Sequence, residues 1–270
     1  MTKPVALTIA GSDSGGGAGI QADIKAMEAN GVFAASVIVA VTAQNTQAVT
    51  AAHDLPPDFV AAQIDAVVDD LDVAAYKTGM LSSAAIIETV AERVDARDLT
   101  PLVVDPVMIS KSGFKLLQDA AIATLREALI PQATLLTPNL HEASHLTDKT
   151  VETVDDAKAV AEALHALGPK AVLVKGGHLN DTAEAVDVLY DGTCFRTFAA
   201  PRIETPNTHG TGCTYASAIA AHLAHGHDLP LAVDRAKRYV TRAIDHALPL
   251  GGGHGPTNHF FHLNAADAFE

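Results

Sequence analysis

Short apolar runs alternate with longer segments in which apolar residues recur every three or four positions. Val5–Ala10 reads as a buried strand, and a helix follows over Ile20–Ala29 with Ile20, Ile24 and Met27 on one face. Ser36–Val41 is the second strand. Pro57–Leu71 is the second helix, its proline in the first turn and Val60, Ile64, Val67 and Val68 on one face. Strand Ala74–Thr78 leads to a serine-capped helix over Ser82–Val94. The pattern then gives strand Leu102–Val104, helix Ala120–Leu129, strand Leu135–Leu136, helices Leu140–Leu146 and Asp155–Leu167, and strand Ala171–Val174. Ala185–Tyr190 and Cys194–Phe198, separated by Asp191-Gly192-Thr193, predict a hairpin that interrupts the alternation. Helices Thr211–Ala224 and Leu229–Leu248 close the chain. No linker, charge run or repeat divides the 270 residues, so the expectation is one α/β domain over 1–270. Its sheet should be mostly parallel and covered on both faces.

A hydrophobic content of 48% is enough for a real core, and a formal net charge of −14 argues against nucleic acid or an anionic membrane as partner. Two cysteines, Cys194 and Cys213, make no disulfide framework, which points to a reducing cytoplasm. Cys194 alternates with Phe195 and Phe198 and reads as a small buried filler. The run Val5–Ala10 is too short for a signal peptide, and no stretch is long enough to span a bilayer.

Functional groups in such sheets gather beyond the strand C-termini. That rule selects Gly11–Gly19, Thr42–Thr46, Lys77–Met80, Asp105–Met108, Thr137–Glu142, Lys175–His178 and Asn207–Cys213. The first loop lacks the Lys-Ser/Thr of a P-loop, and its glycines do not fit G-x-G-x-x-G. Its glycine density suits a lid or a close approach to ligand better than a plain flexible turn. His209-Gly210-Thr211-Gly212-Cys213 opens a helix, where free N–H groups and the helix dipole favour an anion. The same field is expected to acidify the Cys213 thiol. His222, His225 and His227 suit a helix end around Gly226 better than a metal.

Taken together, Ala10–Asp23, Thr42–Thr46, Lys77–Met80, Asp105–Met108, Thr137–Glu142, Lys175–Gly177, His209–Cys213 and Gly253–Pro256 closely resemble the hydroxymethylpyrimidine/phosphomethylpyrimidine kinases of thiamine biosynthesis, in the ribokinase-like superfamily. The resemblance runs in order from the first strand to the last helix. It implies a ribokinase-like three-layer α/β/α fold with a mostly parallel central sheet. It also implies Mg²⁺ with ATP as donor, successive phosphorylation of a pyrimidine alcohol and its monophosphate, and a homodimer. The same resemblance places Gly11, Ala18 and Asp23 at the substrate, and Asn139 and Thr211 at the nucleotide.

The residue chemistry is consistent with this. Phosphoryl transfer needs a metal, a charge clamp and an anion cradle. Asp105 and Glu142 could organise Mg²⁺ partly through water, Lys175 could contact phosphate, and Gly210, Thr211 and Gly212 could present N–H groups. The bland alternatives are helix capping by Asp105, an exposed Glu142 and a snorkelling Lys175. Lys77 fits a structural role as well as a functional one. Gln44 can both donate to and accept from an aminopyrimidine edge, while Met80, Val107 and Met108 could enclose the ring or simply pack. Cys213 stands where a base for the acceptor hydroxyl would stand, or where a residue could merely pack on the ring. Two rivals remain: a pyridoxal-type vitamin kinase on the same fold, and a non-catalytic vitamin-binding regulatory protein. Cys213 with Gln44 favours the pyrimidine, and the joint presence of Asp105, Glu142, Lys175 and the glycine turn favours catalysis.

Overall fold

The structure, a computed structural model, describes residues 3–108, 113, 117, 119–177, 179–180 and 182–263. His178, at the end of one expected loop, lies outside them. In chain order the elements are β1 (Val5–Asp13), α1 (Gly19–Ala29), β2 (Phe33–Gln44), β3 (Val49–Asp54), α2 (Pro57–Val68), β4 (Val73–Thr78), α3 (Ala84–Ala96) and β5 (Leu102–Val104). They continue with α4 (Asp119–Thr124), β6 (Leu135–Leu136), α5 (Leu140–Thr147), α6 (Val154–His165), β7 (Val172–Val174), β8 (Glu184–Tyr190), β9 (Phe195–Pro201), α7 (Thr211–Ala224) and α8 (Leu229–Asp245).

The strands form one sheet in the order β3-β2-β1-β4-β5-β6-β7-β8-β9. Strands β2, β1, β4, β5, β6 and β7 pair in parallel, and the antiparallel pairs lie at the two edges, β2 with β3 at one and β7 with β8 and β8 with β9 at the other. The central strands are mostly apolar because both faces are covered: Ala6, Leu7, Ile9 and Ala10 of β1 are fully buried, and so are the polar Thr8 of β1 and Lys77 and Thr78 of β4. One face carries α2, α3 and α6 through Val60, Ile64, Ile86, Ile87, Val90 and Leu164. The other carries α1, α7 and α8 through Ala26, Met27, Ile219, Val233 and Ala236. This is the expected three-layer α/β/α arrangement. No helix among the described residues is long and apolar enough to cross a membrane.

Three local differences have physical causes. β2 runs on to Gln44 and pairs with β3, which the pattern does not announce because only Val49 of that edge strand is buried. The fourth helix is α-helical only to Thr124; a π turn over Leu125–Leu129 and a 3-10 turn containing Pro131 follow, since Pro131 cannot supply the next N–H. Cys194 is not a buried filler. It is exposed at the hairpin turn, where its backbone N–H donates to Asp191 Oδ1 at 2.8 Å.

Candidate active site

The strand C-termini open into a cavity of about 580 Å³. Lining it are Gly11 and Ala18 from the first loop, Gln44 from the end of β2, Met80 after β4, Asp105 and Val107 after β5, Asn139 and Glu142 at the start of α5, Lys175 after β7, and Gly210, Thr211, Gly212 and Cys213 at the start of α7. The topology thus gathers at one edge nearly every residue singled out in the sequence.

Asp23 is the exception. It is fully buried on α1 behind the cavity wall, with both carboxylate oxygens 2.8–2.9 Å from Lys77 Nζ. Thr8 and Ser217 also donate to it, at 2.6 and 2.7 Å. The expectation that Asp23 touches substrate is therefore corrected: it has no remaining surface, and its work is to neutralise a lysine buried beneath the site. Met108 is likewise core, at 2% exposure.

Asp105 and Lys175 form the charged centre. Lys175 Nζ donates to Asp105 Oδ1 at 2.7 Å, and Thr137 donates to the same oxygen at 3.3 Å. Asp105 Oδ2 is buried with no hydrogen-bond partner. A Cβ placed on Gly212 would stand 3.4 Å from Lys175 Nζ and 3.7 Å from Asp105 Oδ2, so the glycine turn lies directly against this pair. Burial opposes the charge of Lys175, but Asp105 and Glu142 outweigh it and hold the ammonium above its ordinary pKa.

Glu142 is buried, not exposed, and it is Asn139, not Asp105, that caps a helix. Asn139 Oδ1 accepts from Glu142 N at 2.9 Å, and Glu142 Oε2 accepts from Asn139 N at 2.8 Å, a reciprocal capping box. Burial pushes the Glu142 carboxyl up to about 7; Lys175 draws it down and Asp105 pushes it further up. An unpaired carboxylate oxygen beside a second buried carboxyl suits a hard cation with oxygen ligands. Among the described residues no group of three or more His, Cys, Asp or Glu side chains could hold a metal. Two carboxylates with water completing the sphere is the pattern Mg²⁺ accepts.

Cys213 is half-buried at the third position of α7. Its thiol is not acidified. Burial pushes it up to about 12; Lys77 pulls it down, while Asp23 and Asp105 push it up. Desolvation and two carboxylates thus run against the acidification expected from the sequence.

Asp13, His209, Asp187 and Lys237 line the cavity but carry no role in the sequence reading. Asp13 accepts from the N–H groups of Gly15 (2.8 Å), Gly17 (3.1 Å) and Ala18 (2.8 Å), folding the glycine-rich loop around one carboxylate. The ring of His209 meets the same carboxylate at 2.9 Å. Gly210 follows with φ +76°, and a Cβ there would lie 1.8 Å from Gly17 O, so the two glycine segments are in backbone contact. Nothing local could reveal this pairing, because the partners are 196 positions apart. At the far end of the cavity, Lys237 Nζ donates to Asp187 Oδ2 at 2.7 Å, and Asp187 Oδ1 accepts from Gly176 N at 3.0 Å. The His222–His227 cluster ends α7: His225 Nε2 lies 2.8 Å from Asn30 O and His227 Nδ1 lies 3.0 Å from His222 O.

The profile of the Phosphomethylpyrimidine kinase family matches residues 13–258. The chain belongs to this family. It is 52% identical over 259 residues to the Hydroxymethylpyrimidine/phosphomethylpyrimidine kinase of Streptomyces coelicolor, covering 96% of this chain and 95% of that one. It is also 51% identical to the Thiamine biosynthesis bifunctional protein ThiED of Geobacter sulfurreducens, but spans only 51% of that longer protein. Among solved structures, the phosphomethylpyrimidine kinase of Clostridium difficile matches with a TM-score of 0.80 and 47% identity over 90% of this chain and 100% of that one. Pyridoxal kinase of Bacillus subtilis, in an ADP complex, matches with a TM-score of 0.90 and 40% identity over 97% of this chain and 100% of that one. The chain is an ATP-dependent phosphotransferase acting on hydroxymethylpyrimidine and phosphomethylpyrimidine in thiamine biosynthesis.

Proposed function

We propose that the cavity is where the phosphoryl group is transferred, with the acceptor among Gly11, Ala18, Gln44, Met80 and Val107 and the nucleotide phosphates beyond Gly212 toward Asn139 and Lys175. The observation that carries this reading is the convergence of the unpaired Asp105 Oδ2, the Lys175 ammonium and the first turn of α7 on one point. The leading N–H groups of a helix have no carbonyl behind them within the helix, and while Thr211 N donates back to Thr208 O at 3.3 Å, those of Gly212 and Cys213 suit the charge developing on the transferred phosphoryl. Asp105 and Glu142 would hold Mg²⁺, which when bound neutralises phosphate charge. Gln44 hydrogen-bonds the ring edge, and Met80 and Val107 pack on its faces. Cys213 holds the acceptor hydroxyl as a protonated thiol, and the hydroxyl proton leaves late to a phosphate oxygen.

The chain acts as one domain over 1–270 and pairs as a homodimer, a reading supported by the continuous sheet and by exposed Phe33 and Val41 near its β3 edge. Free thiols and an ATP donor are consistent with the cytoplasm. Lys175→Ala tests the placement. Its kcat should fall about 10²-fold or more with pyrimidine affinity little changed. Lost pyrimidine binding with kcat retained would move the transfer site elsewhere.

A further inference from the structure

The Asp13–His209 contact touches neither the charged centre nor the metal carboxylates, yet it joins the two loops that form the acceptor end and the anion turn. We infer that His209, braced by Asp13, is a positioning residue that sets the anion turn against the acceptor pocket; this rests on the cavity being the transfer site.

Both partners are buried, at 3% for Asp13 and 8% for His209. Burial would raise the Asp13 carboxyl, but the His209 hydrogen bond and the N–H groups of Ala18 and Gly15 outweigh it and hold it below its usual range. The backbone of His209 is fixed on both sides: its N–H donates to Gly255 O at 3.1 Å, and its carbonyl accepts from Thr257 N at 3.3 Å. With main chain and ring both held, the left-handed Gly210 that follows has one available path, and the directions of the Gly212 and Cys213 N–H groups are set.

The same ring nitrogen that meets Asp13 also lies 3.3 Å from the side-chain amide nitrogen of Gln44. Ser14 ties the loop to that strand as well: its hydroxyl donates to Gln44 O at 2.7 Å and accepts from Gln44 N at 2.8 Å. The ring Nε2–H thus donates to the carboxylate that shapes the loop carrying Ala18, and the Gln44 side chain proposed to read the acceptor ring packs against the same edge of the imidazole without a hydrogen bond from it. An apolar side chain at 209 would fill the volume but leave the buried Asp13 carboxylate without its side-chain donor, so the position calls for an N–H and not only for bulk. A shift of about 1 Å at a group near the reacting atoms can cost about 10²-fold in rate. Loosening this hub should therefore reduce turnover rather than binding.

The test compares His209→Leu with His209→Gln, whose amide nitrogen can reach the position of the ring Nε2 and restore a donor to Asp13. Turnover is followed as ADP release with hydroxymethylpyrimidine and MgATP, alongside pyrimidine Kd by calorimetry and Tm. His209→Leu should lose roughly 10- to 100-fold in kcat, while pyrimidine Kd and the KM for ATP move less than about threefold. His209→Gln should recover most of that loss at a similar Tm. Asp13→Asn combined with His209→Leu should be no slower than the slower single variant, because the two act as one unit. Equal impairment of the Leu and Gln variants, additive losses, or a kcat that merely follows Tm would overturn the inference. If the transfer site itself is misplaced, Lys175→Ala keeps its turnover; if only the coupling is wrong, Lys175→Ala stays inactive while His209→Leu is fast.

Discussion

Cys213 and Gln44 show how a residue's surroundings change what its type suggests. With burial pushing its pKa up to about 12, the Cys213 thiol carries its proton at neutral pH. At pH 7.5, iodoacetamide should therefore modify exposed Cys194 well before Cys213, as peptide mass spectrometry would resolve. Cys213→Ala should lose less than about tenfold in kcat; a loss of about 10²–10⁴ would reinstate it as the general base. Gln44 is half-buried on the cavity wall, and its amide oxygen accepts from Thr42 Oγ1 at 3.2 Å. Gln44→Leu leaves the ring edge unpaired, so acceptor affinity should weaken by about 1–3 kcal/mol with kcat at saturation largely kept. An unchanged acceptor KM would remove Gln44 from the pocket.

At the scale of elements, the cavity is held by contacts between strand ends and helix starts. Asp23 on α1, Lys77 on β4 and Ser217 on α7 meet in one fully buried cluster under the site. Removing one ion leaves its partner buried and unpaired, so Asp23→Ala or Lys77→Ala should cost about 3–5 kcal/mol in denaturant unfolding. The double change Asp23→Leu with Lys77→Met should cost markedly less than the sum, and additive losses would refute the pairing account. Glu142 adds a pH signature to α5. Its carboxyl is raised from 4.5 to about 7, so the folded state holds its proton more tightly than the unfolded chain. The associated stability is complete below pH 4.5 and disappears as pH rises through about 7. Metal binding has the opposite preference, because the ligand is the carboxylate. Activity at limiting Mg²⁺ should rise through pH 7, and saturating Mg²⁺ should move that limb to lower pH. Glu142→Gln should abolish the limb; if it survives, another group titrates there.

For the whole molecule, the C-terminal segment closes the fold onto the helix that begins at the site. His259 Nε2 lies 2.9 Å from Thr214 Oγ1 of α7, and Tyr239 of α8 donates to His259 O at 2.9 Å. Burial, helped by Lys25, pushes the His259 imidazole down to about 4, so it is neutral in the fold. Its contribution is intact above its ordinary value of 6.5 and is lost as pH falls through about 4. Wild type should thus lose about 3 kcal/mol across that interval through this residue alone. His259→Gln should flatten the dependence, as urea titrations at pH 4, 5 and 7 would show. An unchanged slope would mean that His259 is solvated in solution.

Strand–helix alternation, the apolar central strands and the loops at their C-termini were legible in the sequence, because burial on both faces and the periods 2 and 3.6 act locally. Those loops proved to line one cavity, since parallel strands separated by helices must all end on the same side. Residues whose roles depend on distant partners were not legible. Asp23 looked like a first-helix carboxylate beside a substrate, and only the packing of β4 and α7 against it made it the counter-ion of Lys77. Cys213 looked acidic from its helix position, and the carboxylates of Asp23 and Asp105 with desolvation reversed that. Asp13 and His209 lay in recognised motifs without a role until the fold brought them to 2.9 Å. Local chain chemistry determined the architecture and the address of the site. Charge states and pairings depend on desolvation and on partners far apart in sequence, and only the tertiary structure decided them.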